Sequence, residues 1–385
     1  MGYIMRVLIL GGDGYLGWPT AMAFSKKIYD VMVVDNYLRR DLSRKHDVEP
    51  LWSVPNLLER VRIWQELAGQ TIHARIGDCC EYPFLSAIFK EFQPEVVIHY
   101  AEQPSAPYSM LNHESARITL NNNLQSTLNI AWAIHEHVPD CHIVKLGTMG
   151  VYGTPNIDIE EGWIDIEHKG RKDRFLFPRQ ASSLYHTTKI QDTEMLWFYT
   201  RTWGLRVTDL QQGPVYGLET NETVLDERLG TIFNYDELFG TVINRFVVQA
   251  IAGHPLTVYG KGGQTRGYIN IKDTIACVEL AMLNPSAAGE LNIYNQVTET
   301  FSVNQLAERV VKVGNERGHA AQIKSIENPR VEKEEHYYNP TYSGLKDLGL
   351  EPHYLTDEVL NRMFEVVEKY QHDIQQHKIF RGIKW

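Results

Sequence analysis

The run Gly11-Gly12-Asp13-Gly14-Tyr15-Leu16-Gly17 restricts the fold more than any other feature of the chain: it sits directly behind the apolar stretch Arg6 to Leu10 and opens a helical pattern reaching Lys27. A strand that turns on glycine into a helix brings backbone amides and the positive helix end up to a pyrophosphate. In the G-x-x-G-x-x-G spacing, Gly11 makes the turn, Gly14 clears the backbone for phosphate, and Gly17 lets the helix pack closely on the strand. Such spacing also occurs in purely structural turns. Asp35 decides between the two, because it ends the second strand about 20 residues on, where a carboxylate accepts ribose hydroxyls and repels a 2′-phosphate. Arg39 and Arg40 would suit a phosphorylated ribose, but Asp35 at the strand end favours NAD. Asp78 follows the strand Ile72 to Ile76, where an adenine-edge contact is expected; it also suits the turn ahead of a helix that Pro83 could open.

Short branched-residue runs recur at Arg6 to Leu10, Val31 to Val34, Glu95 to Tyr100, His142 to Leu146 and Leu205 to Leu210, separated by helical patterns. Strands alternating with helices imply right-handed crossovers, so the expected class is α/β, a Rossmann-type doubly wound parallel sheet with a smaller C-terminal substrate-binding lobe. The expected division assigns 1–212 to the NAD-binding part, with 269–300 returning to it, and 213–268 with 301–385 to the second, substrate-binding lobe. Polar stretches at Tyr37 to Gln70, Thr154 to Ala181 and Gly217 to Gly240 interrupt the rhythm. The last two follow motifs discussed below, where loops over a site emerge. Beyond residue 300 the pattern is helical and polar and ends in Asp357 to His377.

A formal net charge of −10 argues against nucleic acid as a partner, so an anionic ligand must be gripped by a few placed arginines. No apolar run approaches the roughly 20 residues of a membrane span. Cys79, Cys80, Cys141 and Cys277 lack C-x-x-C spacing and read as free thiols in a reducing compartment; no metal site is expected. The first strand pattern starts at Ile4, so no leader is expected ahead of it and the cytoplasm is the expected location, although a removed organellar transit peptide would leave no trace.

Tyr185-His186-Thr187-Thr188-Lys189 lies near the start of a helical pattern running from Ser182 to Tyr199, which puts Tyr185 and Lys189 one turn apart on one face. An ammonium beside a phenol is expected to lower the phenol's pKa and to bond the nicotinamide ribose, making Tyr185 a base for a sugar hydroxyl. Thr148, just after the strand His142 to Gly147, is placed to share the substrate oxygen. Y-x-x-x-K alone recurs by chance. With the glycine turn, Asp35 and Thr148 it follows the order and spacing of an extended short-chain dehydrogenase/reductase.

Longer segments carry a narrower resemblance. The stretches GTMGVYGTPNIDIEEG (147–162), SAPYSM (105–110), HPLTVYGKGGQTRGY (254–268) and NPRVEKEEHYY (328–338) resemble the UDP-sulfoquinovose synthases. The resemblance implies UDP-glucose and sulfite, or a sulfite-donating protein, as substrates. It also implies a tightly held NAD that is reduced and reoxidised in each turnover, and no membrane partner. The catalytic set it implies is Thr148, Tyr185 and Lys189, with His186 as acid/base at C5 and C6, where a neutral imidazole titrates near working pH. The implied cofactor contacts are Gly11, Asp13, Gly14, Tyr15, Leu16, Gly17, Asp35, Asn36, Arg39, Asp78, Cys79, Asn122, Tyr185, Lys189, Gln212 and Val215. For substrate they are Gln103, Tyr108, Thr148, Gln212, Val258, Tyr259, Gln264, Arg266 and Arg330, with the two arginines on the diphosphate. A homodimer through the helices Asn121 to His137 and Ser182 to Thr202 is implied as well.

Two positions depart from the plant-type pattern, which has Glu at Val151 and Arg at Pro104; the lost arginine puts sulfite binding in question. Rival readings are a nucleotide-sugar 4,6-dehydratase, a 4-epimerase, and a non-catalytic NAD sensor. The dehydratases use a Thr-Asp-Glu motif, whereas Met149 and Gly150 follow Thr148 here. An epimerase has no use for a C5 or C6 catalyst, and a sensor has no need of Thr148, Tyr185 and Lys189 together.

Overall fold

A computed structural model describes residues 4–27, 29–329 and 337–383. Seven strands form one sheet: β1 Arg6–Leu10, β2 Asp30–Asp35, β3 Ile72–Ile76, β4 Val96–His99, β5 His142–Leu146, β6 Arg206–Gln212 and β7 Leu291–Gln296. Every pairing is parallel and the order is β7-β6-β5-β4-β1-β2-β3. The chain reverses its winding between β1 and β4, the switch point where an open α/β sheet leaves a crevice beyond its strand ends. Val7, Ile9, Val31, Val33, Ile98 and Val144 pack on one face, and Leu8, Leu10, Met32, Val34, Val97 and Ile143 on the other. Burial on both faces is why these strands read as continuous apolar runs instead of alternating ones.

The helix Gly17–Lys26 starts against the strand it leaves, because a Cβ on Gly17 would stand 2.1 Å from the Gly11 carbonyl oxygen. Gly11 itself has φ 88° and lies against the Tyr100 backbone, so the first turn and the end of β4 touch. The long helices His113–His137 and Leu184–Trp203 lie side by side. Their outward faces carry Trp132 and Phe198, 40% and 53% exposed, and Trp132 and Trp203 meet edge to face at 4.9 Å. A second apolar core joins the helices Val242–Ile251, Val303–Glu316 and Asp357–Glu368 through Phe246, Val247, Leu306, Val310, Leu360 and Phe364. Among the described residues no helix is long and apolar enough to cross a membrane.

Two polar stretches turn out to be structured. Tyr37 to Gln70 holds the helices Leu38–Lys45 and Leu57–Ala68; Asn56 caps the second by accepting from the Glu59 amide, and Leu57, Arg60, Ile63 and Trp64 form its buried face. The polar composition belongs to the exposed side. Thr154 to Ala181 holds an antiparallel hairpin, Trp163–His168 with Arg171–Leu176, whose base packs Trp163 against Trp197 at 5.0 Å. The helix at Leu184–Trp203 begins two residues later than the pattern suggested, because the Ser183 hydroxyl caps it by accepting from the His186 amide.

Asp13 ties the first of these insertions to the glycine turn. Its carboxylate accepts from Arg40 Nε at 2.6 Å and Arg60 Nη2 at 2.6 Å, with Arg60 fully buried. Removing one partner of a buried pair leaves the other charge uncompensated and costs about 3–5 kcal/mol. Asp13→Ala is therefore expected to lower the free energy of unfolding by about 3–5 kcal/mol in urea titration, with Asp13→Asn intermediate. An unchanged transition midpoint would show that the two arginines find other partners.

Candidate active site

A cleft of about 810 Å³ runs from the glycine turn across the ends of β1, β4 and β5 to the segment 256–268. Gly11, Gly14, Tyr15, Leu16 and Gly17 form one end with Asp35, Asn36, Arg39, Asp78 and Cys79; Asn122, Tyr185, His186, Lys189, Gln212 and Val215 line the middle; Gln103, Tyr259, Gln264 and Arg266 lie beyond them. Gly14 lines the cleft, and a Cβ there would stand in ordinary contact with the Gly11 carbonyl oxygen, at 3.5 Å. A slot of this size and lining fits a dinucleotide lying on the glycine turn with a second, smaller ligand beyond it.

Asp35 receives the Asp13 amide at 2.9 Å and the Tyr37 amide at 2.7 Å, one on each oxygen. Burial, reinforced by the Asp13 charge, pushes its carboxyl up to about 6. Arg39 stacks on Phe239 at 3.3 Å and bonds Asn234, while Arg40 turns away to Asp13; neither guanidinium is paired with Asp35.

The helix Leu184–Trp203 presents Tyr185, Lys189 and Asp192 toward the sheet as buried residues spaced one turn apart. Lys189 Nζ donates to the Leu146 carbonyl at 2.5 Å and forms an ion pair with Glu102, whose side chain is 3% exposed. The expected lowering of the Tyr185 phenol is not what the structure gives. Burial, then the charges of Glu102 and Asp192, hold that phenol above its usual range, because the lysine charge is already matched by Glu102.

Thr148 follows β5. Its Oγ accepts from the Gly150 amide at 3.1 Å and its own amide donates to Gln211 Oε1 at 3.0 Å. Gln211 in turn donates to Asp209, which pairs with the buried Lys145 and accepts from Thr193. The turn carrying Thr148 is thereby fixed from β6.

His186 Nδ1 lies 3.0 Å from Ser182 Oγ. Its Nε2 lies where a side chain at position 150 would begin, since a Cβ on Gly150 would meet it at 2.3 Å. The imidazole thus fills the volume that the second acidic residue of a Thr-Asp-Glu motif would need.

Other expected contacts fall outside the cleft wall. Asp13 faces its two arginines. Tyr108 is fully buried and stacks on Phe239, and Val258 is buried in the second core. Gln103 lines the cleft, yet its Nε2 is taken up by the Ser105 carbonyl and Thr119, so it holds its own loop. Arg330 lies outside the described residues. Residues that the sequence reading missed are Glu102 and Arg245, and it used Gly150 only as the departure from Thr-Asp-Glu, not as the seat of His186. Arg245 lines the cleft, its guanidinium within 3.4–3.5 Å of Tyr259 Oη. A charged residue inside the apolar run 242–251 was its available signal.

The chain matches the NAD dependent epimerase/dehydratase family over residues 7–295. It is 49% identical over 380 residues to the chloroplastic UDP-sulfoquinovose synthase of Spinacia oleracea, covering 99% of this chain and 79% of the relative. To the UDP-sulfoquinovose synthase of Sulfolobus acidocaldarius it is 43% identical over 384 residues, covering 99% and 98%. The UDP-glucose 4-epimerase from Bifidobacterium longum, solved in complex with NAD+ and UDP, has the same fold, with a TM-score of 0.72 at 20% identity over 96% of this chain and 100% of that one.

Gly150→Ala tests the volume argument. The substitution is expected to leave the unfolding transition near that of the wild type, as Gly150 adopts no left-handed backbone conformation, and to displace the His186 ring. The histidine side-chain resonance followed by NMR should shift. An unmoved His186 signal would mean that the turn yields instead.

Proposed function

Since the chain belongs to the NAD dependent epimerase/dehydratase family and, within it, to the UDP-sulfoquinovose synthases, we propose that its cleft turns UDP-glucose and sulfite into UDP-sulfoquinovose. The observation that carries the reading is His186 seated against Gly150, beside Tyr185 and Lys189. It supplies an imidazole where the dehydratase pattern supplies a carboxylic acid.

The cofactor is NAD, which when bound accepts the C4 hydrogen of the sugar with its electron pair and later returns it. The Gly14 backbone would approach its pyrophosphate, with Gly11 setting the turn and Gly17 the helix start, and Asp35 would accept its ribose hydroxyls. Tyr185 and Thr148 share the C4 oxygen, and Tyr185 relays the hydroxyl proton, giving up its own phenol proton toward Lys189 as it takes the new one and C4 becomes a ketone. The ketone acidifies C5. His186 takes the C5 proton and hands a proton to the departing C6 hydroxyl, leaving an alkene conjugated to the ketone. Sulfite adds at C6 as bisulfite, its proton passing through His186 to C5, and Tyr185 returns its proton as C4 is reduced. Arg266 holds the diphosphate, Arg245 also lines the cleft wall, and the stretch around Tyr259 lines the uracil. The outward aromatic faces of His113–His137 and Leu184–Trp203 support a homodimer through those helices. The division at 1–212 with 269–300 fits the return of β7 to the main sheet.

Incubation with UDP-glucose and sulfite should yield a sulfonated nucleotide sugar by mass spectrometry; a 4-keto-6-deoxy sugar or UDP-galactose in its place would overturn the reading. Tyr185→Phe should abolish reduction of the bound cofactor. His186→Ala should permit it and block solvent exchange at C5, so unimpaired exchange would remove His186 from the mechanism.

Asp35 gives a pH dependence. Its ionised form accepts from both ribose hydroxyls, so the affinity for NAD should hold at neutral pH and weaken as pH falls through about 6. Asp35→Asn should bind NAD weakly and without that dependence in calorimetric titration. A wild-type affinity constant between pH 5 and 8 would exclude the role.

A further inference from the structure

Behind the Tyr185–Lys189 pair lies a group of buried charges that the scheme above leaves unused. Glu102, at the end of β4, pairs with Lys189. His99 Nε2, on β4 itself, stands 3.3 Å from Glu102 Oε1. Asp192 lies fully buried one turn along from Lys189. Lys145, from β5, bonds the Lys189 carbonyl at 3.3 Å and pairs with Asp209 from β6. Burial, then the Glu102 charge, drives the Asp192 carboxyl well up, toward its protonated form. Burial and the two lysines hold His99 well below the usual range, so its ring is neutral. Lys145 and Lys189 are matched by Asp209 and Glu102, each in its own ion pair. Glu102 is the carboxylate that sits against the catalytic lysine.

A redox-neutral cycle must release a proton when C4 is oxidised and recover one when C4 is reduced. An acidic group inside the protein can hold that proton for the length of the cycle. We propose that Glu102 is the internal store, receiving the C4 hydroxyl proton by way of Tyr185 and Lys189 and giving it back at the end of the cycle. The inference rests on the sugar-nucleotide reading of the cleft.

The balance closes. The C4 O–H bond breaks and its proton goes to the Tyr185 oxygen. The proton displaced from Tyr185 passes to Lys189 as Lys189 gives one of its own to Glu102. The C4–H electron pair leaves with its hydrogen for the oxidised nicotinamide. Alcohol, oxidised nicotinamide and carboxylate become ketone, reduced nicotinamide and carboxylic acid, with no change in total charge. Glu102 acts through Lys189 and touches no reacting atom, so it is a positioning residue with an ionisable role.

The test uses the protein with its bound NAD and UDP-glucose, without sulfite, in a weak buffer containing a pH indicator. Cofactor reduction is followed by absorbance and proton release by the indicator. The wild type should reduce the cofactor with no proton released, at a rate flat across neutral pH. Glu102→Gln should release one proton per cofactor reduced, at a rate that rises with pH, because the phenol must then lose its proton to solvent. Glu102→Asp keeps a carboxylate and should behave as the wild type. Infrared difference spectra should show a protonated-carboxyl band that grows with cofactor reduction in the wild type and is missing in Glu102→Gln. Stoichiometric proton release by the wild type, or the same band in Glu102→Gln, would overturn the store. Absence of any cofactor reduction by the wild type would fall on the sugar-nucleotide reading itself, and the store with it.

Discussion

Everything in the cleft is referred to one close approach, that of the first helix to the strand it leaves. Gly17 meets the Gly11 carbonyl at a distance no side chain permits, and Gly11 in turn lies against the Tyr100 backbone at the end of β4. The first contact aims the helix start along the sheet edge. The second fixes how far β1 and β4 separate at the switch point, and so where Glu102 emerges beside Lys189. Tyr15, within the same turn, reaches the Gly217 carbonyl at 2.5 Å and receives Asn244 at 3.4 Å, which joins the turn to the second core across the cleft.

The polar interior is organised around this frame by matched charges. Asp13 with Arg40 and Arg60 holds an insertion down on the turn, Asp209 with Lys145 steadies the Thr148 turn through Gln211, and Glu102 faces Lys189. Buried ion pairs contribute little net stability, since desolvation offsets most of their attraction. What they supply here is placement. Each joins a turn at the cleft to a different strand or helix, so those turns cannot drift independently.

The fold and half of the site were legible because they are written in local sequence. The glycine turn, the five apolar runs, Asp35 and the Tyr185–Lys189 spacing depend on residues that are neighbours along the chain or one helical turn apart. Glu102 was not legible, because its meaning comes from β4 ending beside a helix far along the chain. Asp13 misled for the same reason: it sits inside a phosphate-binding motif, but its carboxylate is claimed by Arg60, 47 residues away. The phenol of Tyr185 was expected to be lowered by its lysine, a pairwise rule that fails once a third buried charge joins the pair. The stretch Tyr37 to Gln70 hid two helices because only one narrow face of each is apolar.

Gly150 and His186 have a consequence for how such a site can change. The imidazole and any side chain at position 150 compete for one volume, so the two positions are locked together. A chain that gains a side chain at 150 must first move the histidine ring from its seat, so every change at one position is felt at the other. The smallest step is an alanine that tilts the ring, and a longer acidic side chain needs more of the same volume. A designer working on one of these positions is therefore redesigning both.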